Sequence, residues 1–145
     1  MIKKVLANDS PQEVLAIIVN GDNENDGVTF VTPDDYSQQL AFMKHAAGHI
    51  ISPHVHNIVK REVLYTKEAL VIQKGKMRCD FYDKDRKYLK SVIVKAGDVI
   101  LLVSGGHGFE CLEDTEMFEI KQGPYAGEND KVRFESNIET INLEV

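Results

Sequence analysis

Most of this 145-residue chain consists of short runs in which apolar and polar residues alternate, separated by turn residues. Successive side chains on a strand point to opposite faces, so a period of two marks a half-buried β-strand. Residues 76–82 show the pattern clearly: Met77, Cys79 and Phe81 fall on one face, and Arg78, Asp80 and Tyr82 on the other. Residues 68–73 precede them across a tight Lys74-Gly75 turn, which reads as a hairpin. Further strands are expected at 28–32, 38–45, 88–94, 99–103, 107–112 and 115–122, with turns at 21–27, 83–87 and 96–98. Residues 11–20 follow the cap-like Asn8-Asp9-Ser10 and fit a short helix or an entering strand, and Ile17-Ile18-Val19 favours the strand. Residues 50–56 are expected to continue the 38–45 strand beyond a bend at Gly48. Many short strands at such even spacing point to an all-β sandwich or barrel.

The length suits one domain, with a core large enough to stand without disulfides or a structural metal. A bound metal would therefore be functional. A hydrophobic fraction of 43% with 28% charged residues excludes a disordered chain, and a net charge of -6 argues against nucleic acid as a partner. No apolar run is long enough for a signal peptide or a membrane span, so a cytoplasmic protein with no membrane partner is expected. Cys79 and Cys111 fit free thiols in a reducing compartment. Gly105-Gly106-His107-Gly108 lacks the lysine and spacing of a nucleotide loop and reads as a tight bend into the His107 strand.

The candidate chemistry lies in His54-Val-His56. On a strand these imidazoles point the same way, which suits a metal ion; imidazole serves zinc, iron, copper or nickel. A carboxylate and a third imidazole would complete a ligand set, and Glu68 and His107 are the candidates. The competing readings are exposed histidines at a strand end and, for His107, a hydrogen-bonded core histidine. Glu68 falls in an apolar strand, where a carboxylate needs a cation or a donor. His45 and His49 are read as structural.

These residues resemble the first motif of the cupins, small jelly-roll barrels with a metal held inside. That motif runs Gly, five residues, His-x-His, three or four residues, Glu, six residues, Gly. This chain has Gly48, five residues, His54-Val-His56, then Glu68, six residues, Gly75. Eleven residues separate His56 from Glu68, which implies a longer loop over residues 57–67. Glu62 is the rival ligand but lacks the downstream glycine. The second motif is looser: Gly97 leads to Ser104-Gly105-Gly106-His107 one residue early and without its proline, and Cys111 stands in the place of an asparagine. The resemblance implies a cupin-like jelly-roll β-barrel with a core at about 38–122, a capping extension at 1–33 and a tail at 123–145. One divalent transition metal (zinc, iron, manganese or nickel) would sit on His54, His56, Glu68 and His107, leaving open positions.

The implied activity is that of a metal-dependent cupin acting on a small hydroxylated or carboxylated metabolite such as a sugar, of the isomerase or epimerase type. The alternatives are a non-haem iron dioxygenase and a non-catalytic sugar-binding module, because one fold hosts many functions. Phe109 and Cys111 share the face of His107 and should line its cavity, with Cys111 an inert packed thiol rather than a reactive one. Arg61 in the loop could meet an anionic substrate group or be simply solvated. Glu119 and Lys121 on one face of the closing strand, or Gln122 on the other, and Tyr125 beyond it, are candidates for orienting or acid/base roles. In the tail, Glu139, Ile141, Leu143 and Val145 form a face apolar at three of four positions. Its pairing with a neighbouring sheet predicts a homodimer, the alternative being that it packs on its own barrel.

Overall fold

The computed structural model describes residues 1–7 and 12–144. The expected cap at Asn8-Asp9-Ser10, Pro11 and the last tail residue, Val145, lie outside them. The fold is all-β and antiparallel, with ten strands among the described residues: β1 (Ile2–Leu6), β2 (Val14–Val19), β3 (Gly27–Phe30), β4 (Ala41–Lys44), β5 (Glu68–Lys74), β6 (Lys76–Tyr82), β7 (Tyr88–Lys95), β8 (Val99–Leu102), β9 (Gly106–Cys111) and β10 (Glu116–Lys121). A 3₁₀ turn, Gly127–Asp130, follows.

The strands form a five-stranded sheet in the order β1-β2-β8-β5-β10, a three-stranded sheet β7-β6-β9, and the pair β3-β4. The core fills the space between the two larger sheets, where Ile18, Leu70, Ile72 and Ile100 meet Met77, Cys79, Phe81, Val92 and Val94. Burying each large aliphatic or aromatic side chain contributes about 1.5–3 kcal/mol. A second apolar layer on the far face of the main sheet joins Val14, Ile17, Val19, Ala69 and Leu101 to Val31, Tyr36, Leu40 and Phe42. The main sheet is therefore covered on both sides. This explains why β2 reads as an unbroken apolar run, with all six residues buried, rather than as an alternation.

Three expectations need correction. The N-terminal residues do not cap the sheets, because β1 and β2 belong to the main sheet and β2 lies inside it. β5 and β6 are not a hairpin: the chain crosses at Gly75 from one sheet to the other, while β5 pairs with β8 and β10. A turn signal reports a reversal of direction, and the sheet joined afterwards depends on which faces are apolar. Gly75 has φ +80°, and a Cβ there would collide with the Asp114 carbonyl oxygen, so glycine is required twice over. Residues 50–56 form no strand, and no ladder joins β9 to β10, so among the described residues the sheets do not close into a barrel. Within the single chain the tail lies along β7. Leu143 bridges in parallel to Ser91, Ser91 N–H donates to Asn142 O at 2.8 Å, and Glu144 N–H donates to Ser91 O at 2.8 Å.

Candidate functional site

β5 enters the core with Glu68, Leu70 and Ile72 on its inner face, since Leu70 and Ile72 pack in the central cluster. On β9, register pairs His107 with Phe81, Phe109 with Cys79 and Cys111 with Met77. Directly paired residues share a face, so His107, Phe109 and Cys111 stand on the core side of β6. The two strands, from different sheets, thus bring Glu68 and His107 together, with His107 Nε2 3.4 Å from Glu68 Oε2.

Both side chains are largely withdrawn from water, at 12% exposure for Glu68 and 30% for His107. Burial pushes the His107 pKa below its ordinary value and outweighs the pull of the Glu68 and Glu119 carboxylates in the other direction. At neutral pH the ring is therefore neutral and carries a free lone pair, the form in which imidazole binds a metal. The spacing fits the same use. It exceeds the usual N–H···O range, and two donors bound to one tetrahedral ion at about 2.1 Å each stand about 3.4 Å apart.

Register also settles the parity of the closing strand. Lys121 pairs with Glu68 and Glu119 with Leu70, so both face inwards, whereas Phe118 and Ile120 face away beside Val71 and Ala69. Lys121 Nζ lies 3.4 Å from Asp130 Oδ2 and over the Tyr125 ring at 5.6 Å, while Tyr125 itself is exposed. The Gln122 side chain accepts from Lys67 N–H at 3.1 Å and closes the entry to β5.

His54 and His56 stand elsewhere. Residues 45–67 contain no strand, and every residue from 43 to 66 is exposed. The two rings meet edge to face at 5.3 Å, His54 Nδ1 is 3.0 Å from Ser52 O, and Arg61 donates to Val59 O at 3.5 Å. Glu62 lies on the same exposed stretch. Of the four ligand candidates, one chain brings together Glu68 and His107. Among the described residues no group of three His, Cys, Asp or Glu side chains gathers around a common point. Cys111 is exposed rather than packed, because β9 has no neighbour beyond it, and Cys79 is the buried thiol, pushed up to about 12 by desolvation.

A cleft of about 720 Å³ runs along β6 and β9 beneath the tail, lined by Arg78, Tyr82, His107, Phe109, Arg133 and Ser136 among others. The sequence reading missed Arg78, Tyr82, Arg133 and Ser136. Alternation placed Arg78 and Tyr82 on the outer face of β6, but nothing local showed that the tail would roof them. Tyr82 OH and Ser136 Oγ are 2.8 Å apart, and Tyr82 packs edge to face on Phe134 at 5.1 Å. Beside the cleft, Arg78 is held by a bidentate contact to Asp80, 2.7 Å from Nε and 3.0 Å from Nη2, and by Glu110 at 2.7 Å. Its charge is thereby spent within the fold.

No helix among the described residues is long and apolar enough to cross a membrane. No family model, curated protein or solved structure matches this chain.

Proposed function

We propose that this chain is a jelly-roll-type, divalent-metal-binding domain that acts on a small hydroxylated or carboxylated metabolite such as a sugar. The observation that carries this reading is the Glu68–His107 pair, a carboxylate and a neutral imidazole drawn from opposite sheets to 3.4 Å. Glu68 and His107 would hold the ion, with His54 and His56 as the remaining donors. The ion would polarise a carbonyl or hydroxyl group of the metabolite. The cleft on the outer face of β6, roofed by the tail, reaches the pair only at the edge strand through His107 and Phe109, and there it would take such a ligand: Tyr82 and Ser136 offer hydroxyls, Arg133 offers a cation for a carboxylate, and Phe109 offers an apolar surface. Glu119 and Lys121, on the inner face beside Glu68, would take up or supply a proton.

Calorimetric titration with cobalt(II), followed by zinc(II), tests the reading. Wild type is expected to bind about one ion per chain, with at least tenfold weaker binding in Glu68→Gln and in His107→Ala and little change in Glu62→Gln. Binding that survives both Glu68→Gln and His107→Ala would sink the assignment, and so would wild-type protein that takes up no ion.

A further inference from the structure

Residues 45–66 leave the fold after β4 and return at β5, held at both ends. Lys44 pairs with Asp26 at 3.2 Å, and at the return Lys67 N–H meets the Gln122 side chain at 3.1 Å. Between these anchors the hydrogen bonds from residue 45 to residue 65 are local, His49 N–H to Ala46 O, His54 to Ser52 and Arg61 to Val59, and at the return Thr66 Oγ1 donates to Asp130 Oδ1 at 3.3 Å. The composition is that of a buried element rather than a solvated loop, since Ile50, Ile51, Val55, Ile58, Leu64 and Tyr65 are all exposed. Val55 is 89% and Ile58 104% exposed, as open as side chains become. Structureless connections of this length are uncommon in compact domains, and a contiguous apolar surface of this kind marks an interaction site.

The same structure has a matching deficit. Among the described residues β10 pairs only with β5 and β9 only with β6, so each keeps a free edge at the open side of the sheets. Phe109, Leu112, Met117, Phe118 and Ile120 are exposed along those edges. Glu110 and Glu119 are exposed there too, whereas Lys60 and Arg61 are the cations of the arm. Unpaired edges accept an added strand, whose backbone supplies the missing hydrogen bonds.

We propose that the arm of one chain lies along the free edges of β9 and β10 of a second copy, and that each copy receives the other's arm in a two-fold dimer. Tethered at both ends, an arm of about 70 Å contour carries its tip out by up to about 35 Å, against a radius of gyration of about 15 Å for a domain of 145 residues, so it spans to a neighbour. Residues 43–66 and the edge residues Phe109, Phe118 and Ile120 are all exposed in the single chain, which leaves that edge for the neighbour's arm. Once extended as a strand, the arm turns His54, His56 and Ile58 to one face and Val55 and Val59 to the other. The inward face then carries two imidazoles towards Glu68 and His107, and each metal site is built from two chains. This last step rests on the proposed metal-binding reading, whereas the arm exchange does not.

Assembly is read first. Light scattering of the full chain is expected to give a dimer, and Ile58→Asp is expected to give a monomer with unchanged β-sheet circular dichroism, because Ile58 makes no core contact in the single chain. A wild-type monomer, or a dimer unaffected by Ile58→Asp, overturns the exchange. The shared site is read by co-expressing a His54→Ala/His56→Ala chain with a Glu68→Gln/His107→Ala chain and titrating cobalt(II). Each alone should bind poorly, while random pairing restores about a quarter of the wild-type sites through mixed dimers. No recovery, in a wild type that does bind cobalt, overturns the shared site and returns the arm to its own chain. A wild-type dimer that binds no cobalt overturns the metal reading and leaves the exchange supported by the Ile58→Asp result.

Discussion

Replacing Asp80 by alanine should cost more stability than any other single surface-strand substitution in β6. Its carboxylate is 6% exposed and accepts from Arg78 Nε at 2.7 Å, Arg78 Nη2 at 3.0 Å and Ser91 Oγ at 2.6 Å. Burial alone would raise its pKa, but the Arg78 and Ser91 hydrogen bonds prevail and hold it below the usual carboxylate range. Alanine leaves the Arg78 guanidinium, whose side chain is 15% exposed, with Glu110 alone, and it leaves the buried Ser91 hydroxyl with only Tyr88. Breaking one side of a buried ion pair costs about 3–5 kcal/mol, and the retained Glu110 contact puts this case near the lower end, at about 3 kcal/mol. With a urea slope of about 2 kcal/mol per molar, the midpoint should fall by about 1.5 M. Urea denaturation followed by circular dichroism measures it. The double variant Asp80→Leu/Arg78→Met removes both charges, so it should lose less than the sum of the two single changes. Because Tyr88 joins Ser91 to Asn142, amide exchange at Asn142 and Glu144 should speed up in Asp80→Ala. A loss below about 1 kcal/mol, or strict additivity in the double variant, would refute the view that Asp80 anchors a buried charge network.

Acid should act through His107 first. Its folded pKa lies below the unfolded value of 6.5, so its neutral form contributes stability above that pH, lost as pH falls through the folded pKa. His107→Gln should flatten the stability profile below pH 6.5, and identical thermal midpoints against pH in both proteins would contradict this. Gly75→Ala should lose about 2 kcal/mol in denaturant melts, because a left-handed backbone and a backbone clash are imposed together; a loss within experimental error would mean that the crossing is not as tight as described. Ending the chain at Glu135 removes two backbone bonds to Ser91 and the Glu144 ion pairs with Lys3 and Lys90, and should cost about 3 kcal/mol while leaving the assembly state unchanged. A truncated chain of a different oligomeric state, seen by light scattering, would return the tail to an intermolecular role.

The all-β class and nearly every strand downstream of residue 67 were legible in the sequence, because a period of two is imposed by the backbone itself and survives any tertiary arrangement. The two faces of β6 emerged correctly for the same reason. So did Gly75, since a left-handed turn admits few other residues. Pairings between distant strands were not legible. Turn chemistry at Gly75 and Gly97 signals a change of direction, and only the packing of two apolar faces decided that the chain there passes to another sheet. β1 and β2 are members of the main sheet rather than an extension, and no local pattern shows it: β2, buried on both sides, has no alternation, and β1 is a half-buried edge strand. In the candidate site, register between β10 and β5 turned Glu119 and Lys121 inwards, a parity no local pattern contains. Tertiary contact also divided the four ligand candidates. Glu68 and His107 come together because their strands face each other across the core, whereas His54 and His56 stay on an exposed arm whose apolar pattern resembles that of an internal strand. A sequence records that such residues must be buried, but the surface that buries them is set by the geometry of the folded chain.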